Sequence, residues 1–139
     1  MSYLVDTNVI SEIVRTKPDA NVLQWFENIP TDALHMSVLS LGEIRKGIEG
    51  IKDYSRREKL RIWLEIELPE WFGNRIINID ISIVDRWGRL NNEMKRPLPV
   101  IDSLIAATAL HHELRLVTRN EQDFNYPALE VVNPWKFKS

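Results

Sequence analysis

Short β-prone runs that alternate with segments of helical spacing constrain this chain more than any other feature. Tyr3 to Val5 is such a run, and Asn8 to Arg15 after it carries Val9, Ile13 and Val14 at helical spacing. Leu34 to Val38 then predicts a strand and Leu39 to Gly47 a helix. Arg75 to Ile79 predicts a strand, followed by helical spacing from Ile81 to Met94 through Ile81, Val84, Trp87, Leu90 and Met94. Pro97 and Pro99 break the chain before a helix from Val100 to His112, a strand from Leu114 to Thr118 and a last short strand at Val131 and Val132. Two further helices lack a strand of their own. One runs from Asp19 to Ile29, between Pro18 and Pro30, and the other from Tyr54 to Leu68, with Leu60, Trp63, Leu64 and Leu68 as its stripe. The alternation predicts an α/β fold with a mostly parallel central sheet and right-handed crossovers.

With 139 residues, of which 44% are hydrophobic, the chain is long enough for one sizeable core and short for two, so one domain over 1–139 is expected. No repeat, low-complexity tract or glycine-serine linker divides it. The absence of cysteine removes disulfides, thiolate nucleophiles and cysteine-based zinc sites. The start MSYLVDTNVISEIV lacks the basic segment and long apolar core of a signal peptide, and no apolar run approaches about 18 residues. A cytoplasmic protein without a membrane partner is the expectation. The net charge of −2 provides no global field for nucleic acid, so such a ligand would be held by a local basic patch or through bound metal ions.

Open parallel sheets bind ligands outside the carboxyl ends of their strands. Asp6 follows the first strand, Glu43 lies in the first turns of the helix after the second, Asp102 opens a later helix and Asp123 follows the strand Leu114 to Thr118. All four would reach the same edge. Converging carboxylates repel unless a cation compensates them, and magnesium or manganese, which take oxygen ligands, suit that set. One or two such ions can activate a water and stabilise a leaving oxygen in phosphodiester cleavage. Each carboxylate also has a plain structural explanation. Asp6 would cap the helix near Asn8, and Ser40 with Glu43 fits the capping box S-x-x-E. Asp102 would complement a helix dipole, and Asp123 in RNEQDFNYP reads as a turn residue.

The strings LVDTNVISE, SVLSLGEIRKGIE, VIDSLIAATALHH, LVTRNEQDF and VVNPW, in that order, resemble a PIN-domain toxin of the VapC type, most of all its FitB-like branch. The likeness covers nearly the whole chain, with residues 52 to 74 alike only in helical character. It implies a three-layer α/β/α fold and a metal-dependent ribonuclease, the toxin of a type II toxin-antitoxin pair. It matches Asp6, Glu43 and Asp102 to the first three acidic positions, and leaves the fourth open between Asn120 and Asp123. Asn120 would coordinate through a carbonyl oxygen or a water without adding charge. The resemblance further implies a homodimer or dimer of dimers, an RNA substrate, and an antitoxin whose tail occupies the active-site groove.

Thr7, Ser37 and Thr118 carry hydroxyls near the strand ends, suited to waters, phosphates or caps. Arg45, Lys46 and Arg119 lie near the acidic positions and would counter phosphate charge, or form a solvated basic face. His111 and His112 read as helix-end charges, and Trp25, Trp63, Trp71 and Trp87 as core or interface aromatics. The helices Asp19 to Ile29 and Tyr54 to Leu68 would face a second copy or an antitoxin segment. A receiver domain would need an acidic pair near its start and a lysine after a late strand, where this chain has Asp6-Thr7-Asn8 and Thr118-Arg119-Asn120. An aspartyl phosphatase would need D-x-D-x-T. A catalytically idle interaction module with the same fold is the remaining alternative.

Overall fold

The computed structural model describes residues 1–138. Its sheet is formed by β1 (Tyr3–Val5), β2 (Leu34–Ser37), β3 (Ile76–Ile77), β4 (Arg115–Val117) and β5 (Val131–Val132), in the order β3-β2-β1-β4-β5 with every ladder parallel. The chain runs outward from β1 to β3, then returns past β1 to place β4 on its other side. β1 and β4 therefore bracket the point where the winding reverses, and a crevice opens there.

Strand alternation assigns the two faces. Val5, Met36, Val117 and Val132 pack into one apolar cluster, while Leu4, Leu116 and Val131 pack into the other. The first cluster is covered by α1 (Thr7–Ile13), α2 (Ala20–Glu27), α3 (Val38–Glu49), α4 (Tyr54–Ile62) and α5 (Leu68–Phe72), through Val9, Ile10, Val22, Trp25, Ile44, Ile48 and Phe72. The second is covered by α6 (Ile81–Glu93) and α7 (Val100–His111), through Leu90, Ile105, Ala106 and Ala109. Small residues on α7 bring its backbone close to the sheet. The predicted α/β fold with a mostly parallel sheet and helices on both sides is the one observed.

Three local expectations change. The long helix predicted from Tyr54 is continuous in direction but passes through a π-helical turn at Trp63–Glu67 before α5. Pro69 explains it, because a proline cannot donate to the carbonyl four residues back and its ring crowds that turn. The expected capping box at Ser40 is not formed. Ser37 is the N-cap of α3, its Oγ accepting from Leu39 N at 3.1 Å, and Ser40 lies a turn inside the helix. On α6 the residues facing the core are Ile83 and Leu90, whereas Ile81 and Val84, expected in the buried stripe, are 89% and 49% exposed.

Candidate active site

Asp6 ends β1 and caps α1. Its extended backbone (φ −70°, ψ 158°) lets Oδ1 accept from Thr7 N at 2.8 Å. Its other oxygen, Oδ2, accepts from Thr118 Oγ1 at 2.8 Å, so the loop after β4 is tied to the end of β1. Thr118 is itself fully buried and accepts from Asn120 N at 3.1 Å and Asn8 Nδ2 at 3.4 Å. Asp6 is only 6% exposed, and burial, countered by the Thr118 and Thr7 hydrogen bonds and reinforced by the charges of Asp102 and Glu43, pushes its pKa up to about 6. Capping and a place in the crevice are thus two uses of one side chain.

Glu43, in the second turn of α3, is reached from α1. Thr7 Oγ1 donates to Glu43 Oε1 at 2.6 Å and stands 2.8 Å from Ser40 Oγ. Glu43 therefore turns toward the crevice and not back to its own helix start. Asp102 sits in the first turn of α7, half-buried, and its pKa is raised by burial and by the charges of Glu43 and Asp123. Asp123 is exposed on the 3-10 turn Glu121–Phe124 after β4. Electrostatically the four belong together: Asp6 feels Glu43 and Asp102, and Asp102 feels Glu43 and Asp123. Among the described residues, however, no three His, Cys, Asp or Glu side chains stand close enough to close on one ion by themselves.

That spacing suits some cations better than others. A structural zinc site requires four preformed protein ligands, whereas magnesium is held by one or two carboxylates with waters completing its shell. An all-oxygen, mutually repelling group with a buried member fits a hard divalent cation. Asp6, Glu43 and Asp102 would hold it in part through waters of its shell, with Asp123 on the flank. Asn120 brings its backbone N to Thr118 Oγ1 and carries no charge, while the charge of Asp123 reaches Asp102.

The basic candidates separate. Arg45 is occupied, 2.6 Å from Glu65 and 3.7 Å from Glu49. Lys46 is exposed on the outer side of α3. Arg119 lies over the Trp135 ring at 4.9 Å, beside the Asp6 loop. Ser37 is used as a cap. His35 and His112 line a cavity at the opposite edge of the sheet with Asn74 and Glu113, away from the carboxylates. Burial and the neighbouring His111 lower the His112 pKa, so it is a poor helix-end cation.

Some contributing residues were not expected. Trp87 Nε1 donates to Ser103 Oγ at 2.9 Å, and Ser103 Oγ donates to Pro99 O at 2.6 Å, which joins α6 to the turn that carries Asp102. Only the adjacency of Ser103 to Asp102 could have pointed there. Asn8 gave no signal beyond its capping chemistry.

The parallel sheet, its reversal between β1 and β4, and the buried Asp6 at that reversal, within reach of the charges of Glu43 and Asp102, define a class of α/β proteins with an acidic crevice. Residues 3–128 match the PIN domain, and the chain belongs to that family. It is 31% identical over 136 residues to VapC ribonuclease Y4jK of Sinorhizobium fredii, covering 96% of this chain and 97% of the relative. Among solved structures it resembles FitAcB from Neisseria gonorrhoeae, with a TM-score of 0.90, 28% identity and coverage of 97% and 99% of the two chains. A toxin-antitoxin complex from Klebsiella pneumoniae is similar at 32% identity and a TM-score of 0.69, over 96% of this chain and 98% of that one.

Proposed function

We propose that this chain is a metal-dependent endoribonuclease, the toxin of a toxin-antitoxin pair, that hydrolyses RNA phosphodiester bonds in the cytoplasm. The observation that carries the proposal is the coupled acidic group around Asp6, placed at the crevice of a PIN-family chain whose relatives include a VapC ribonuclease. Magnesium or manganese, when bound, would supply a water made acidic enough to attack phosphorus and a positive charge for the leaving oxygen. The chain's own residues do the rest. Asp6 is held by Thr118 and Thr7, Glu43 is aimed by Thr7, and the Trp87-Ser103 brace fixes the helix turn from which Asp102 projects. Such second contacts set carboxylate orientation and basicity. Burial of Asp6 keeps its charge unscreened until a cation compensates it.

Two apolar surfaces support the expected partners. A cleft of about 410 Å³ is lined by Ile10, Ile13, Phe26, Trp63, Leu68 and Trp71, between α1, α2 and the α4–α5 segment. An apolar segment of the antitoxin would fill it, in keeping with the Klebsiella pneumoniae complex. Ile81, Val84, Val100 and Ile101 form exposed apolar positions on the α6–α7 side, which supports pairing with a second copy.

The test is titration of manganese or magnesium into the purified protein, with cleavage of total bacterial RNA followed for wild type and Asp6→Asn. Metal-dependent cleavage lost in the variant is expected. Equal RNA decay in both, with no metal bound, would leave Asp6 as a cap and favour an interaction module.

A further inference from the structure

A second element stands beside the acidic group and is used by nothing described so far. Tyr126 is 4% exposed and packs in the cluster formed by Ile105 of α7, Leu98 and Phe124. Its hydroxyl is buried beside the Arg96 guanidinium, and it also feels the charges of Asp102 and Asp123. Arg96 lies over the Tyr126 ring, its Cζ 5.6 Å from the centroid, within cation-π range. Arg96 is exposed, forms no ion pair among the described residues, and precedes α7, whose first turn bears Asp102.

These facts decide between two roles. A guanidinium meant to balance the carboxylates would contact one of them, as Arg61 and Arg115 do with their acidic partners at 3.1 Å and 2.6 Å. Arg96 contacts none. It is instead anchored on Tyr126, in a segment stiffened by Pro97 and Pro99, with no carboxylate on its planar fork among the described ion pairs. Holding an arginine in place costs side-chain entropy, so a ring that fixes it beforehand leaves more of the binding energy for a ligand. Its planar fork fits a phosphate. Arg119 has the same arrangement over Trp135 on the Asp6 side of the crevice, which makes the design recur at a second place on the same edge.

We propose that Arg96, seated on Tyr126, is a phosphate-binding site for the RNA strand, taking a phosphate adjacent to the one cleaved. The site rests on the ribonuclease reading. It gives the strand a fixed path past Asp102, and it supplies locally the positive charge that the chain as a whole lacks. Tyr126 acts through Arg96 as a positioning residue.

The experiment measures binding of a fluorescein-labelled, mixed-sequence single-stranded RNA by anisotropy at several salt concentrations. It uses Asp6→Asn protein with magnesium present, so that no strand is cut, and compares Arg96→Gln and Tyr126→Leu in that background. Each released phosphate contact on a single strand should flatten the plot of log affinity against log salt by about 0.7. Arg96→Gln is expected to weaken binding about tenfold and lower the slope by that amount, Arg96→Lys to keep the slope, and Tyr126→Leu to weaken binding with a smaller slope change. Unchanged affinity and slope in Arg96→Gln would overturn the site, as would RNA that does not bind Asp6→Asn at any salt, since the phosphates would then be held by metal alone. Cleavage by the wild type separates the two levels: if wild type cuts RNA and Arg96→Gln is silent, only the Arg96 site falls. If wild type neither cuts nor binds RNA, both fall.

Discussion

Thr118 Oγ1 donates to Asp6 Oδ2 at 2.8 Å, across 112 positions of sequence and across the reversal of the sheet. This bond closes the crevice and holds one oxygen of a buried carboxylate that has no positive partner among the described ion pairs. Its consequences can be measured.

The first concerns pH. The Asp6 pKa is about 6 in the folded protein against 3.8 for the free group, so the folded state holds more protons than the unfolded one between those values. Stability contributed by this group is greatest below about 4 and is lost as pH rises through about 6. At pH 7 the buried charge costs on the order of 3 kcal/mol. Metal-free protein should therefore melt several degrees higher at pH 5 than at pH 7, and the raised Asp102 pKa acts in the same direction. Scanning calorimetry in chelator at the two pH values reads this. A melting point that falls on acidification would show that Asp6 is compensated.

Asp6→Asn should separate stability from activity. The amide keeps an acceptor for Thr7 N and places its NH2 toward Thr118 Oγ1 without carrying charge. Without metal the variant should melt above the wild type at pH 7, by a smaller margin at pH 5, and about level with it below pH 4, and it should not cut RNA. Equal melting at both pH values would contradict the burial penalty.

Removing the donor should do the opposite. Thr118→Val is nearly the same size but leaves Asp6 Oδ2, Asn120 N and Asn8 Nδ2 without their partner. Unsatisfied buried groups cost roughly 1 to 3 kcal/mol, and Thr118→Ser should restore most of it. Chemical denaturation gives the difference directly. Manganese affinity in Thr118→Val should also fall, because the carboxylate is no longer oriented.

Thr7→Val tests orientation with little cost in stability. Glu43 loses the 2.6 Å bond that turns it into the crevice. Loss of such a contact typically lowers metal affinity or activity by about 10- to 100-fold. Cleavage rates at saturating RNA, with melting unchanged, would fit; a proportional loss of fold would point to a packing role.

The apolar cleft gives a prediction about the partner. Trp71 is 47% exposed and lines it, with its ring under Arg75 at 5.0 Å. Trp71→Ala should weaken capture by the cognate antitoxin by about tenfold or more, as truncating an aromatic anchor does, while RNA cleavage by the free toxin is kept. Calorimetric titration of the antitoxin checks the first part and a cleavage assay the second.

Sequence by itself determined the sheet and most helix positions. β1 falls on Tyr3–Val5 as expected, and α7 and β4 end within a residue of expectation, because strand and helix periods are local properties read from side-chain order. The residue types at Asp6, Glu43, Asp102 and Asp123 were legible for the same reason, since an acid at a parallel strand's carboxyl end has few places to go. The outer stripe of α6 was not legible. Ile81 and Ile83 both look apolar in a period, and only the position of α7 decides which is buried.

Tertiary structure alone decided how the acids are used. Glu43 could have closed a capping box with Ser40, but Ser37 starts the helix and Thr7, 36 positions away, takes the glutamate. The partners of Asp6, the Trp87-Ser103 brace and the seat of Arg96 on Tyr126 are likewise contacts between distant segments. A local pattern fixes which face a side chain leaves from. What it meets there depends on where the chain returns, and here the return past β1 sets Thr118 against Asp6 and leaves the carboxylates to share one field.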